Sequence, residues 1–280
     1  MRVAEKCICC SSINLAKKIG YFEPFISHRI FNLEYQRHIV KGVDIGFPRA
    51  ITNSIFCKDC EMIFSQIRFD KCELEKIYDT YRDENYNEVR IAYEPNYKNI
   101  AHLVGNSETE RLSRQEAMAQ FFSNEIDFHE IRSILDYGGD SGQHIPVCFG
   151  NAIKFVYDIS KKKAVDGVVN VSSLDHLSVV DLVVNANVLE HMPYPSQFFD
   201  EVKHLCNNDT YIFIDVPFEL TADNPYPVAF HEHINFFSPS SIEALLRSHQ
   251  FALLKMEKVS VDYGFGVGVC IYALAKYVEK

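Results

Sequence analysis

Ile134-Leu-Asp-Tyr-Gly-Gly-Asp-Ser-Gly142 is the stretch on which the fold turns. Ile134 and Leu135 end an apolar run that reads as a buried strand, with Asp136 at its carboxyl end. Gly138, Gly139 and Gly142 then let the backbone turn tightly and approach a ligand, before a helix expected over 143–149. This is the form of a nucleotide-type site at the tip of the first strand of an α/β sheet. Asp140 stands where a fully glycine-rich loop carries another Gly.

Beyond this loop, apolar strands alternate with amphipathic helices, the signature of a parallel sheet. Strands are expected at 133–137, 154–158, 168–171, 181–186, 211–216, 253–260 and 267–275, and further helices at 196–206 and 240–249. The crossover 159–167 is barely long enough for a helix, which should be rudimentary or absent. No helix separates the last two strands, so they should form an antiparallel hairpin at the sheet edge, turned by 263–266. Upstream, 71–128 reads as helical and charged, with apolar positions at helical spacing in 72–78 and 107–122. Residues 1–70 are rich in Cys, aromatic and turn residues, with β-like pieces at 37–40 and 54–56. Three modules are expected: 1–70, 71–128 and 129–280.

The chain has 280 residues, 47% of them hydrophobic, enough for a sizeable core. A net charge of −10 argues against a nucleic-acid binder that relies on neutralising phosphates. The basic run 161–163 reads as a solvated turn. No apolar run approaches the ~20 residues of a membrane helix. No signal-peptide core precedes Cys7, so a cytoplasmic protein is expected. Five of the nine cysteines, Cys7, Cys9, Cys10, Cys57 and Cys60, fall within the first 60 residues. In a reducing compartment that clustering favours a metal over disulfides. Cys7-x-x-Cys10 and Cys57-x-x-Cys60 form two knuckles able to complete a tetrahedral zinc site with no open position, hence structural. Cys9 should point away. The 46 residues from 11 to 56 exceed the usual ribbon spacing, and unligated or redox-active thiols are the alternatives.

Asp158, about 20 residues past the glycine loop, is placed to accept from ribose hydroxyls, or merely to cap the next turn. A nicotinamide dehydrogenase fits less well, because the third small residue of the dinucleotide fingerprint is missing. The fourth strand, Asp181-Leu-Val-Val-Asn-Ala-Asn-Val-Leu-Glu-His191, runs on through Met-Pro-Tyr-Pro195 and is followed by Ile214-Asp-Val-Pro217. With the 134–142 loop and Asp158, these pieces resemble class I S-adenosylmethionine-dependent methyltransferases. The resemblance implies a Rossmann-like seven-stranded methyltransferase sheet. It implies that Asp136, Gly138, Gly139, Asp140 and Gly142 hold the methionine end of the cofactor and Asp158 the ribose. Asn185, Ala186, Asn187 and Leu189 would line its other side, and His191 would orient substrate or fix its loop. The acid that often binds adenine after the third strand is missing, which leaves backbone groups or Ser172 and Ser173.

Phe230-His-Glu-His-Ile-Asn-Phe-Phe-Ser238, taken with the cysteine knuckles, resembles the zinc-containing sugar methyltransferases acting on nucleotide-linked sugars. These include C-methyltransferases of deoxysugar pathways, in which Tyr-His-Glu-His lies beside the substrate. His231, Glu232 and His233 match, while Phe230 replaces the Tyr. The chain also ends near residue 280, where the C-methyltransferases continue into a further C-terminal domain. Both departures weigh against C-methylation. The expected reaction is methyl transfer from S-adenosylmethionine to a hydroxyl of a nucleotide-linked sugar or surface glycan.

Such an in-line displacement depends on alignment, and a hydroxyl needs a base. His233 is the first choice of base, with Glu232 orienting it or holding the sugar, and His231 next. Alternatively the three residues cap the following helix, or bind a metal through an undefined ligand set. Tyr81, Arg82, Tyr86, Arg90 and Tyr97 either fold over the acceptor or lie on an interdomain helix with exposed aromatics. Two other readings stand beside O-methylation: C-methylation of a keto sugar, and a non-catalytic zinc-bearing interaction protein with a degenerate cofactor fold.

Overall fold

The computed structural model describes residues 1–33, 39–40, 43–44, 46–47, 49–78, 80–160 and 162–278. The main strands are Leu15–Phe22 (β1), Ile51–Cys57 (β2), Ile63–Ser65 (β3), Ser133–Tyr137 (β4), Ile153–Tyr157 (β5), Val168–Asn170 (β6), Leu182–Ala186 (β7), Tyr211–Pro217 (β8), Ala229–Phe230 (β9), Asn235–Phe236 (β10), Phe251–Asp262 (β11) and Val267–Tyr277 (β12). The α-helices are Pro24–Phe31 (α1), Lys71–Tyr78 (α2), Glu84–Tyr93 (α3), Glu108–Phe122 (α4), Ser196–Val202 (α5) and Pro239–Ser248 (α6). None is long and apolar enough to cross a membrane.

The expected seven-stranded sheet is present, in the order β6-β5-β4-β7-β8-β12-β11. Its first five strands are parallel, and β12 lies antiparallel between β8 and β11. The hairpin at the edge is as the sequence implies, though both strands run longer. Because strand order reverses between β4 and β7, the crevice beyond their carboxyl ends is where such a sheet takes a ligand.

Both faces are covered, which explains the near-continuous apolar strands. Leu182, Val184 and Phe213 meet Met118, Phe121 and Phe122 of α4 on one face. Val183, Ile212 and Ile214 meet Phe198 and Phe199 of α5 and Leu245 of α6 on the other. The helix starts are fixed locally: Ser107 caps α4 by accepting from the Glu110 amide, and Ser238 and Ser241 form a reciprocal capping box on α6.

The helix expected over 143–149 is corrected: only a 3-10 turn, Val147–Phe149, forms. Pro146 supplies no amide hydrogen and biases Ile145 away from helix. Gln115 Nε2 instead donates to the carbonyls of Gln143 and Ile145, at 2.8 and 3.2 Å. Among the described residues of the 159–167 crossover there is no helix, as expected; Lys161, in the expected basic turn, lies outside them. The β-like piece at 37–40 is seen as Ile39–Val40, and residues 37 and 38 lie outside the described set.

A second sheet has the order β9-β1-β2-β3-β10. Its outer strands come from the far end of the sequence, so the 1–70 and 129–280 segments share one sheet. This exchange carries 231–234, the link between β9 and β10, to the junction of the two sheets.

Candidate functional site

The 138–142 loop is shaped by close approaches. Gly138 has φ +74°, and a Cβ there would lie 2.4 Å from Val188 Cγ2. A Cβ on Gly139 would lie 2.1 Å from the Asp136 carboxyl, which is tucked beneath it. Burial, with Asp158 and Asp140 nearby, pushes the Asp136 pKa up to about 7. Asp140 adopts φ +55°, a conformation Asp tolerates better than most residues. Its carboxylate pairs with Lys162 Nζ, 2.7 Å away. The Asp158 carboxylate accepts from the Asp140 amide at 2.9 Å and the Ser160 amide at 2.6 Å. It thus ties loop to strand, while a carboxylate's remaining lone pairs can still accept hydroxyls.

Across the crevice, Asn185 is fully buried and neither side-chain amide atom has a hydrogen-bond partner among the described residues. Ala186 follows it, Asn187 takes φ +56°, and Leu189 is fully buried in the core. Ser172 and Ser173 follow β6, and the Ser173 hydroxyl accepts from the Asp175 amide. Arg114 of α4, itself buried, joins this region to the next strand. It meets Glu110 at 3.1 Å, Asp215 of β8 at 2.6 Å and the Asn187 side-chain oxygen at 3.2 Å.

His191, His231 and His233 come together above these strand ends, with ring centroids 4.8 Å apart for His191 and His233 and 4.5 Å for His231 and His233. The carboxylate beside His233 is Glu219, not Glu232: its Oε2 lies 2.8 Å from His233 Nδ1. A carboxylate only accepts, so Nδ1 carries a proton, and in the neutral ring Nε2 is the acceptor. Glu219 Oε1 is 3.7 Å from His231 Nε2. Burial alone would raise the Glu219 pKa, but His233 and then His231 hold it well below the usual range. His191 Nδ1 donates to the Glu232 carbonyl at 3.0 Å, and burial pushes its pKa down to about 3, keeping it neutral. Beside it, Glu190 is fully buried, with His191 Nε2 3.8 Å from its Oε1 and no hydrogen-bond partner for either carboxyl oxygen among the described residues. Burial lifts its pKa far above the carboxylate range.

Glu232 faces the helical connector: Arg90 Nη1 lies 3.0 Å away and Tyr86 donates its hydroxyl. The expectation that Glu232 orients His233 is therefore corrected; Arg90 draws it the other way. Tyr86 and Tyr97 are buried, against the reading of exposed aromatics. Burial would raise the Glu232 pKa, yet Arg90, His191 and Tyr86 together bring it to about 2. Its folded value lies below the unfolded ~4.3, so the stability it contributes is present above that pH and lost as pH falls toward 2. Denaturation midpoints of the wild type should drop more steeply than those of Glu232→Gln between about pH 4.5 and 2; parallel profiles would refute the pairing.

The four knuckle thiols cluster as expected. Cys7 and Cys60 Sγ are 3.5 Å apart, as are Cys10 and Cys57, and all four lie within 4.8 Å of one another. These separations exceed a disulfide and approach the ~3.8 Å edge of a tetrahedron with ~2.3 Å metal–sulfur bonds. The two turns repeat one hydrogen-bond pattern. Cys7 N donates to Ser12 O and Ser11 N to Cys7 O, as Cys57 N does to Met62 O and Glu61 N to Cys57 O. Ser11 and Glu61 both have φ +61°. Cys9 stands outside the four-sulfur group, its amide donating to Cys7 Sγ.

Glu219, Arg114, Asp215 and Glu190 were not singled out in the sequence. Asp215 carried a signal, since an acid inside an apolar strand requires a partner. Glu219 carried none beyond lying just past a strand's end.

The model of the methyltransferase-domain family matches residues 95–256, and the chain belongs to that family. It is a class I S-adenosylmethionine-dependent methyltransferase. Among curated proteins it is similar to the C-methyltransferase NovU of Streptomyces niveus, 23% identical over 149 residues, which are 47% of this chain and 35% of that protein. The chain thus spans about a third of that relative's length. Among solved structures it is similar to the Burkholderia thailandensis 1,6-didemethyltoxoflavin-N1-methyltransferase, solved with 1,6-didemethyltoxoflavin and S-adenosylhomocysteine. That match has a TM-score of 0.50 and 14% identity, covering 79% of this chain and 98% of that one. An S-adenosylmethionine-dependent methyltransferase from Aquifex aeolicus gives a TM-score of 0.47 and 18% identity over 64% of this chain and 98% of its own.

Proposed function

We propose that this enzyme methylates a hydroxyl of a nucleotide-linked sugar or glycan, with His233 as general base. The observation that carries the reading is His233 held at Nδ1 by Glu219 with Nε2 left to accept a proton. Asp136, Gly138, Gly139, Asp140, Gly142 and Asp158 would hold the methionine and ribose of S-adenosylmethionine. Asn185, Ala186, Asn187 and Leu189 would border its other side, and Ser172, Ser173 or backbone groups its adenine. The fit rests on the glycine approaches and on the unpartnered Asn185 amide, whose burial calls for a polar occupant. The cofactor, when bound, supplies an electrophilic methyl group on sulfur. His233 then takes the acceptor's hydroxyl proton, Glu219 stabilises the imidazolium, and His231 adds a second imidazole on the same carboxylate. Neutral His191 borders the acceptor, and Arg90 keeps Glu232 and the connector against the site.

Gly139→Ala should drive its methyl into the Asp136 carboxyl and weaken S-adenosylmethionine binding at least tenfold in calorimetric titration; unchanged affinity would remove the loop from the donor site. Incubation with labelled donor and a panel of nucleotide sugars and glycans tests the acceptor class. Label transferred to none of them would sink it.

The four cysteines of the 1–70 module would hold a structural zinc, with 71–128 as connector and 129–280 as catalytic module. Ser238 at the start of α6 donates to the Cys60 carbonyl, coupling that knuckle to the catalytic sheet. Zinc removal by chelation should therefore lower the melting temperature of the whole chain, and an unchanged melt with the metal gone would contradict it. The similarity to NovU favours a second reading, C-methylation of a keto sugar, in which His233 would take the proton next to the carbonyl.

A further inference from the structure

We propose that Glu219, His231 and His233 form a site for a divalent transition-metal ion of the zinc class, and that loading it withdraws His233 from proton acceptance. The second half rests on reading His233 as the base; the first does not. One ligand atom from each of the three residues lies within 4.8 Å of the others. Zinc ligands at ~2.0–2.2 Å stand about 3.3–3.6 Å apart. His233 Nδ1 lies 2.8 Å from one Glu219 oxygen and His231 Nε2 3.7 Å from the other, with no ligand pair beyond 4.8 Å. Side-chain adjustment would bring one oxygen and both imidazoles onto an ion. Glu219 lies just beyond β8, and His231 and His233 lie between β9 and β10. The three thus come from strand ends of two sheets, a rigid frame for a metal.

Glu232 cannot complete the set, because Arg90 and Tyr86 already occupy it. A second grouping, Glu190, His191 and His233, shares one imidazole. Glu190 there is fully enclosed, whereas the Glu219, His231 and His233 side chains are 29, 36 and 23% exposed and leave a path for an ion and its waters. Two imidazoles and one carboxylate suit zinc, cobalt or nickel, while magnesium and calcium prefer oxygen ligands throughout. The ion would take His233 at Nδ1, the atom facing Glu219. The ring proton then resides on Nε2, which can no longer accept one from the substrate. Metal and substrate proton therefore compete for the same imidazole.

The test is calorimetric titration of the full chain, its metal content measured beforehand, with zinc chloride in the absence of donor and acceptor. One ion should bind beyond those present at purification, and Glu219→Gln and His231→Ala should each weaken it at least tenfold. The near-isosteric Glu219→Gln guards against a folding defect in the other variant. No additional equivalent, or affinity unchanged in both variants, overturns the site. Label transfer should fall as the ion fills the site and recover on chelation; transfer that is unaffected or rises with occupancy overturns the withdrawal of His233. Failure of the base reading itself shows separately, as full turnover of His233→Ala without added metal.

Discussion

His233→Ala is expected to lose about 10²–10⁴-fold in turnover while binding S-adenosylmethionine as the wild type does. The range is that of a general base acting on a hydroxyl, whose own pKa makes it a poor nucleophile. Three features support the size of the effect. Glu219 at 2.8 Å fixes the tautomer with Nε2 as acceptor. Neutral His191 packs edge-on against the ring, which limits its rotation without adding a charge. The imidazolium that His233 would form faces the Glu219 carboxylate, and the two stabilise each other's charge. Removing the ring touches none of the glycine loop, so donor affinity should stand. Single-turnover rates beside donor titrations measure both, and full activity in the variant would eliminate His233 as the base.

Arg114→Met is expected to cost about 3–5 kcal/mol of stability, the scale for stripping one partner from a buried ion pair. Arg114 is the only cation hydrogen-bonded to fully buried Asp215 among the described residues, and it also binds Glu110 and Asn187. Without it, a carboxylate remains in an apolar face lined by Phe121, Phe213 and Tyr272. Adding Asp215→Asn to the same chain should recover part of the loss, because the uncompensated charge goes with it. Urea midpoints of the single and double variants measure this, and a loss under about 1 kcal/mol would show that the network is not a structural tie. The Asn187 contact predicts a weaker donor site in the single variant as well.

The sequence made the loop, the sheet and the thiol cluster legible because each obeys local constraints. Glycines at 138, 139 and 142 answer to backbone approach, strand runs to burial on both faces, and paired knuckles to ligand spacing. What was hidden depends on tertiary pairing. Nothing near His233 in the sequence distinguishes Glu232, its neighbour, from Glu219, fourteen positions earlier; Arg90, from a separate helix, decides between them. The helix expected after the glycine loop failed for a nearer reason, since Pro146 already stood in the sequence and Gln115 supplied other bonds. Strand exchange between the two sheets could not be read at all, because β9 and β10 are two residues each. That exchange is nonetheless what delivers His231 and His233 to the crevice.

The most direct measurement is carbon NMR of the product formed from methyl-labelled donor and the best acceptor of the sugar panel, with His233→Ala run beside the wild type. The expected result is a labelled methoxy carbon in the wild type and a loss of at least a hundredfold in the variant. A labelled methyl on carbon, or a methoxy signal of equal strength in both, would contradict hydroxyl methylation by this histidine.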